Sequence, residues 1–311
     1  MNSRREFIRT TALGTAALSG GCHSLTGVGA DVIDCHTHFY DPTRSQGVPW
    51  PNKSDTQLYR RVLPRDYMAL AKPLGVTGTV VVEASAWIED NQWILDLAKD
   101  KPFIKGFVGH LNPGDTEFAS QVKRLARNPL FRGIRVSFGD VPKLNDPAKV
   151  RDLRLLAEHD LSLDVNGGTD SLATVAEIAR AVPTLRIIQN HVANVRIDGG
   201  EPPRAWQDGM RRVAEHPNTF CKVSGLVEGS GKRGGAPRDL NFYRPVLDHV
   251  WRCFGEDRVI YGSNWPVSEL FADFATVHGI VKSYFAGHGE GVSRKYFAEN
   301  ARAAYKWLQR S

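Results

Sequence analysis

The sequence has 311 residues, of which 41% are hydrophobic and 24% charged, a balance that excludes a disordered, fibrous or wholly membrane-embedded chain. A chain of this length buries a sizeable core without disulfide or metal staples. Its formal charge is +6, yet Arg4, Arg5 and Arg9 carry part of the excess at the N-terminus and no later basic block forms a track, which excludes nucleic acid as a partner.

In chain order, residues 1–30 read as a targeting segment. "SRREFIRTTALGTAALSGGC" sets twin arginines ahead of a short, weakly apolar stretch of small residues, as in twin-arginine export to the periplasm or cell envelope. The stretch is too short to span a bilayer. Cys22 follows Leu18-Ser19-Gly20-Gly21, an imperfect lipoprotein box, so a lipid anchor on Cys22 stays open. Cys35, Cys221 and Cys253 show no CxxC pairing, and Cys35 and Cys221 read as buried structural thiols.

From residue 31 to 311 the pattern is one domain. Eight short runs, "DVIDCHTH", "GTVVVEAS", "IKGFVGHL", "RGIRVSF", "LSLDVNG", "LRIIQNHV", "TFCKVSG" and "RVIYGSN", are rich in Val, Ile and Phe and bounded by Gly, Pro and Asn. Several lack strict alternation, as expected of strands buried on both faces. Amphipathic segments lie between them. In "SLATVAEIARAV", Leu172, Val175, Ile178 and Val182 recur at three- and four-residue spacing and predict a helix packed on a sheet. The alternation predicts a single α/β domain, a (β/α)8 TIM barrel, over an open doubly wound sheet, because no G-x-G-x-x-G turn follows the first strand. "GSGKRGG" lacks phosphate-loop spacing and reads as a loop able to cover a substrate. The long stretch 41–65 reads as a pocket-building loop.

In such a barrel the C-terminal strand ends converge on one mouth. That rule selects His36, His38, Glu83, His110, Arg135, Asp164 or Asn166, His191, Lys222 and Asn264. Two histidines two apart on a strand share a face, so His36 and His38 can grip one ion or one substrate. His159 precedes the fifth strand and falls at the wrong end.

"VIDCHTHFYDP", "GVPWP", "LPRDY", "RGIR", "NHVAN", "CKVSGL" and "RVIYGSNWPV" together resemble the amidohydrolase superfamily. Within it they resemble the metal-dependent-hydrolase branch that contains fuconolactone and rhamnonolactone hydrolases; that branch also holds decarboxylases and hydratases of aromatic acids. The resemblance runs from about Asp31 to the C-terminus. It implies that His36 and His38 match the first-strand histidines and His191 that of the sixth strand. Two positions depart: the fifth strand offers Asp164 or Asn166 where a histidine ligand is common, and Asn264 stands where an aspartate usually moves protons. The resemblance further implies that activity does not strictly require a metal; if zinc or manganese binds, His36 and His38 are the expected ligands.

Lactone opening needs water, a proton acceptor and positive groups at the nascent oxyanion. The sequence leaves His191 or Glu83 as the base, with Asn264 a neutral positioning group. Arg135, Lys222 and His110 are candidate substrate contacts, and Trp50 and Trp265, with Trp87 more often core, are candidate stacking walls for a sugar ring. The expected function is therefore an exported hydrolase of a sugar-acid lactone. The alternatives are a metal-dependent decarboxylase or hydratase of an acidic ring, and a binding protein with a degenerate site. The oligomeric state and the particular lactone are not legible in the sequence.

Overall fold

The structure, a computed structural model, describes residues 31–308; the twin-arginine segment and Cys22 lie outside the described residues. Eight strands form one parallel sheet in sequence order: β1 (Ile33–Thr37), β2 (Gly78–Val82), β3 (Ile104–Gly109), β4 (Phe131–Ser137), β5 (Ser162–Asn166), β6 (Arg186–Gln189), β7 (Thr219–Val223) and β8 (Val259–Tyr261). Each coincides with one of the eight apolar runs. The ring closes where the end of β1 meets the segment after β8: Thr37 bridges Trp265, and the His38 amide donates to the Trp265 carbonyl at 2.9 Å. The fold is a (β/α)8 barrel, as the strand–helix alternation requires.

Helices α1 (Pro64–Ala71), α2 (Glu89–Ala98), α3 (Phe118–Leu125), α4 (Pro147–Glu158), α5 (Leu172–Ala181) and α6 (Arg204–Ala214) return the chain between strands. After β7 come the short α7 (Leu226–Gly229) and the longer α8 (Leu240–Phe254), and α9 (Phe274–Ala286) follows β8. In α5 the expected stripe Leu172, Val175 and Ile178 is buried, and Asp146, at the start of α4, accepts from the Ala148 amide as an N-cap. Among the described residues no helix is long and apolar enough to cross a membrane.

The barrel floor is closed from below. Ile33, Cys35, Val80, Val82, Val108, Ile188, Phe220 and Ile260 form an inner cluster with Ala301, Ala304, Tyr305 and Trp307 of the C-terminal segment. Arg132 and Arg186, on β4 and β6, donate to the carbonyls of Lys306 and Ala304 and tie that segment to the N-terminal end of the barrel. The opposite end is left free for chemistry.

One irregularity sets the site. The β1–β2 register shifts between Asp34 and Thr37, so β1 does not alternate strictly. Asp34 turns towards α1, where Tyr67 donates to its Oδ2 at 2.7 Å, while Cys35 packs in the inner cluster and His36 meets Lys222 and His191. The Asp34 Oδ1 accepts from the backbone amides of His36 (3.0 Å) and Ser263 (2.8 Å), pinning β1 to the β8 turn. Burial raises the Asp34 pKa despite these donors.

Candidate active site

At the C-terminal end of the barrel a cavity of about 550 Å³ opens. Its polar lining includes His38, Arg135, Asn166, His191, Asn194 and Asn264; Trp50, Phe138, Val267, Leu270 and Phe271 form an apolar side. Trp50 comes from the long 41–65 loop and packs edge-on to His38, with ring centroids 6.0 Å apart. Arg233 of the glycine-rich loop also lines the cavity, so that loop reaches the mouth. It is fastened there by the Gly234 amide, which donates to the Leu270 carbonyl.

The three histidines meet beneath this opening. The His36 ring centroid lies 4.3 Å from that of His191 and 5.0 Å from that of His38. His38 Nδ1 lies 3.0 Å from the Val82 carbonyl and 3.1 Å from that of Glu83; since carbonyls only accept, Nδ1 carries the proton and Nε2 the lone pair. Burial and the nearby Arg135 push His38 down to about 4. His191 Nδ1 pairs with the Ser224 hydroxyl at 2.8 Å. Burial, then Lys222 and Arg135, hold its pKa well below the ordinary value, so it is neutral at pH 7.

His191 opens a turn in which four consecutive residues, His191 to Asn194, have φ of 53°, 44°, 56° and 46°. Left-handed backbone costs non-glycine residues about 1–2 kcal/mol each, so the surroundings must hold it. They do: Trp206 Nε1 donates to the Val192 carbonyl, and Asn194 Nδ2 donates to the Asn166 side chain and the Gly167 carbonyl. Asn264 is also left-handed, with φ 59°, a conformation asparagine tolerates well. Gly262 is required beside it, since a Cβ there would lie 2.9 Å from the His36 Cβ.

Several residues selected from the sequence sit differently from what the strand-end rule suggested. Lys222, a candidate substrate contact, is fully buried in the barrel interior and not on the cavity wall. Its ammonium donates to Asp164 Oδ2 at 2.6 Å and to His36 Nδ1 at 3.2 Å, and Tyr305 donates to both Asp164 oxygens. Glu83 accepts from Arg135 Nε at 2.7 Å, and Arg135 Nη2 donates to the Glu83 carbonyl, so this carboxylate serves to orient the guanidinium. Trp265, expected on the pocket wall, is 1% exposed and packs on Tyr67 and Phe39, because the turn at Asn264 sends the next side chain into the core. His110 lies outside the cavity lining, its backbone fixed on both sides by Asn91.

One lining residue had no sequence signal beyond being a carboxylate near the end of β7. Glu228 of α7 accepts from Asn264 Nδ2 at 2.8 Å through Oε1, and its buried Oε2 has no hydrogen-bond partner among the described residues. Burial raises its pKa to about 7, against the opposing effect of the Asn264 bond.

A model of the family described as "Amidohydrolase" matches residues 33–307. The chain belongs to the amidohydrolase family. This amidohydrolase is 35% identical over 245 residues to an L-fucono-1,5-lactonase of Burkholderia ambifaria, covering 78% of the present chain and 82% of the relative. An L-rhamnono-gamma-lactonase of Scheffersomyces stipitis is 24% identical, with 88% and 98% covered. Among solved structures, an amidohydrolase from Burkholderia multivorans with bound zinc superposes with a TM-score of 0.81 at 25% identity, over 90% of this chain and all of the other.

The residues of this amidohydrolase do not fit such an ion. An ammonium has only protons to give, so Lys222 makes His36 Nδ1 an acceptor and leaves the proton on Nε2. That buried Nε2 has no partner among the described residues and presents a hydrogen where a metal needs a lone pair. Asn264 supplies an amide in place of a carboxylate, and among the described residues no three His, Cys, Asp or Glu side chains are grouped to hold a metal.

Proposed function

We propose that this chain hydrolyses an aldonolactone, a polyhydroxylated cyclic ester, to its open hydroxy acid. The observation that carries the reading is the cavity itself. One side is polar and rich in amides, the other is apolar, and neutral imidazoles and a guanidinium share its floor. The similarity to proteins named as L-fucono-1,5- and L-rhamnono-gamma-lactonases supports the same substrate class.

The chemistry follows from the placements. Glu83 fixes Arg135 through Nε and Nη2 and leaves Nη1 without a partner among the described residues, so the guanidinium can meet the carbonyl oxygen as it gains charge. His38, with its Nε2 lone pair, accepts a substrate hydroxyl. Asn166 and Asn194 offer further amide contacts, and Trp50 and Phe138 cover the ring's apolar faces. Neither His38, near 4, nor His191, also pushed far down, is a strong proton acceptor at pH 7; their role is to orient and hydrogen-bond. The decarboxylase or hydratase reading needs a metal-gripping donor set, which Lys222 and Asn264 disfavour.

The test is acid release followed by pH-stat with the purified full chain against a panel of 1,4- and 1,5-aldonolactones, alongside simple γ- and δ-lactones. Hydrolysis of at least one polyhydroxylated lactone well above the uncatalysed rate is expected, with Arg135→Met lowering kcat by about 10²-fold or more. No turnover of any lactone by folded protein would sink the reading.

A further inference from the structure

We propose that Glu228 is the general base that deprotonates the attacking water, with Asn264 as its positioning residue. The inference rests on the lactonase reading and adds to it the group that reading lacks.

The geometry carries it. Glu228 lines the same cavity as His38, Arg135 and His191. Asn264 Nδ2 binds one oxygen at 2.8 Å and fixes the carboxylate plane, while Oε2 is buried and, among the described residues, unpartnered. A buried acceptor without a donor is costly and uncommon, and a water admitted from the cavity would satisfy it. The other carboxylates near the mouth are committed elsewhere: Glu83 to Arg135, Asp164 to Lys222 and Tyr305, and Glu269 to Trp265 Nε1 and Arg60.

The groups around Glu228 suit the role. Arg233 shares the cavity and lies 3.7 Å from Asp55. Arg135 is neutralised by Glu83, His38 and His191 are uncharged at pH 7, and the Tyr243 hydroxyl donates away to the Pro237 carbonyl. Burial therefore dominates and poises the carboxyl at about 7, where a base is both substantially ionised and able to hold a proton. This makes it a stronger base than either imidazole beside it.

In the step, Glu228 takes a proton from water as the water oxygen bonds to the lactone carbonyl carbon. The carbonyl π pair moves onto oxygen beside Arg135. Collapse of the tetrahedral species breaks the bond from that carbon to the ring oxygen, which leaves with the proton returned by Glu228. The sum is lactone plus water giving hydroxy acid, and the base is regenerated.

The experiment measures kcat and KM against pH from 5 to 9 on the full chain, with the aldonolactone the wild type turns over fastest, subtracting spontaneous hydrolysis. Wild-type kcat/KM should rise through a midpoint near 7. Glu228→Gln should lower kcat by about 10²–10⁴-fold with little change in KM and abolish that limb. Glu228→Asp should retain the limb at reduced rate. Asn264→Ala removes a donor to the carboxylate and should move the limb to higher pH, a readout that a merely structural role would not produce. A Glu228→Gln rate within threefold of wild type, or a wild-type rate falling through pH 7, overturns the base assignment while leaving the lactonase reading intact. A wild type that opens no lactone overturns both.

Discussion

Changing Glu228 to Gln should stabilise the protein, by an amount that grows as pH rises from about 5 and is nearly complete just above 7. In the folded state the carboxyl titrates near 7 because it is buried, whereas in the unfolded chain it returns to about 4.5. Between these values the folded state holds a proton that the unfolded state has released, so stability falls as pH rises across that window. The contribution is fully present below 4.5 and lost once pH passes 7. Integrated from pH 5 to 8, a displacement of this size removes about 2–3 kcal/mol from the wild type. Gln cannot ionise and keeps an oxygen to accept from Asn264, so the variant escapes the loss. Thermal unfolding of both proteins at pH 5, 6, 7 and 8 isolates this group, because other titrations cancel in the difference. The melting temperatures should nearly converge at pH 5, and Gln should gain roughly 5 °C by pH 8, at about 2 °C per kcal/mol for a domain this large. A gap that stays flat from pH 5 to 8 would refute the buried-carboxyl argument, independently of any activity.

Two further outcomes follow from the barrel interior. Lys222→Met strands the Asp164 carboxylate in a fully buried position and should cost about 3–5 kcal/mol in denaturant unfolding; adding Asp164→Leu should recover most of that, and no recovery would mean the pair is not coupled as its 2.6 Å bond implies. Gly225→Ala forces a side chain onto a residue with φ 67° and places its Cβ 2.8 Å from the His191 Cβ, so it should lower kcat/KM at least tenfold and stability by about 1–3 kcal/mol, read by kinetics and melting together.

The barrel was legible because its strands are buried on both faces and write themselves as Val- and Ile-rich runs, as in "GTVVV" of β2 and "RIIQ" of β6. Position along a strand was legible too, since the C-terminal ends led to His38, Arg135, His191 and Asn264, all on the cavity. Side-chain commitment was not. Nothing local to Glu83 announces Arg135, which lies 52 residues away on another strand, and nothing local to Lys222 announces Asp164 or the tautomer it imposes on His36. Nor could alternation foresee the register shift in β1 that sends Asp34 outward to Tyr67. These are pairings between elements, and a two-residue periodicity carries no information about them.

Asn264 shows how far a strand-end rule reaches. An amide at the mouth cannot move a proton, which by itself suggests a weakened site. Yet an amide can do what an aspartate there could not: donate to a neighbouring carboxylate without placing a second negative charge beside it. With aspartate at 264, two carboxyls would meet at the 2.8 Å now spanned by the Asn264–Glu228 bond, and mutual repulsion would hold one of them protonated. The amide and the carboxyl on α7 are therefore best understood as one unit. The residue after the end of β8 supplies the hydrogen bond, and Glu228, on α7 after β7, supplies the titrating group.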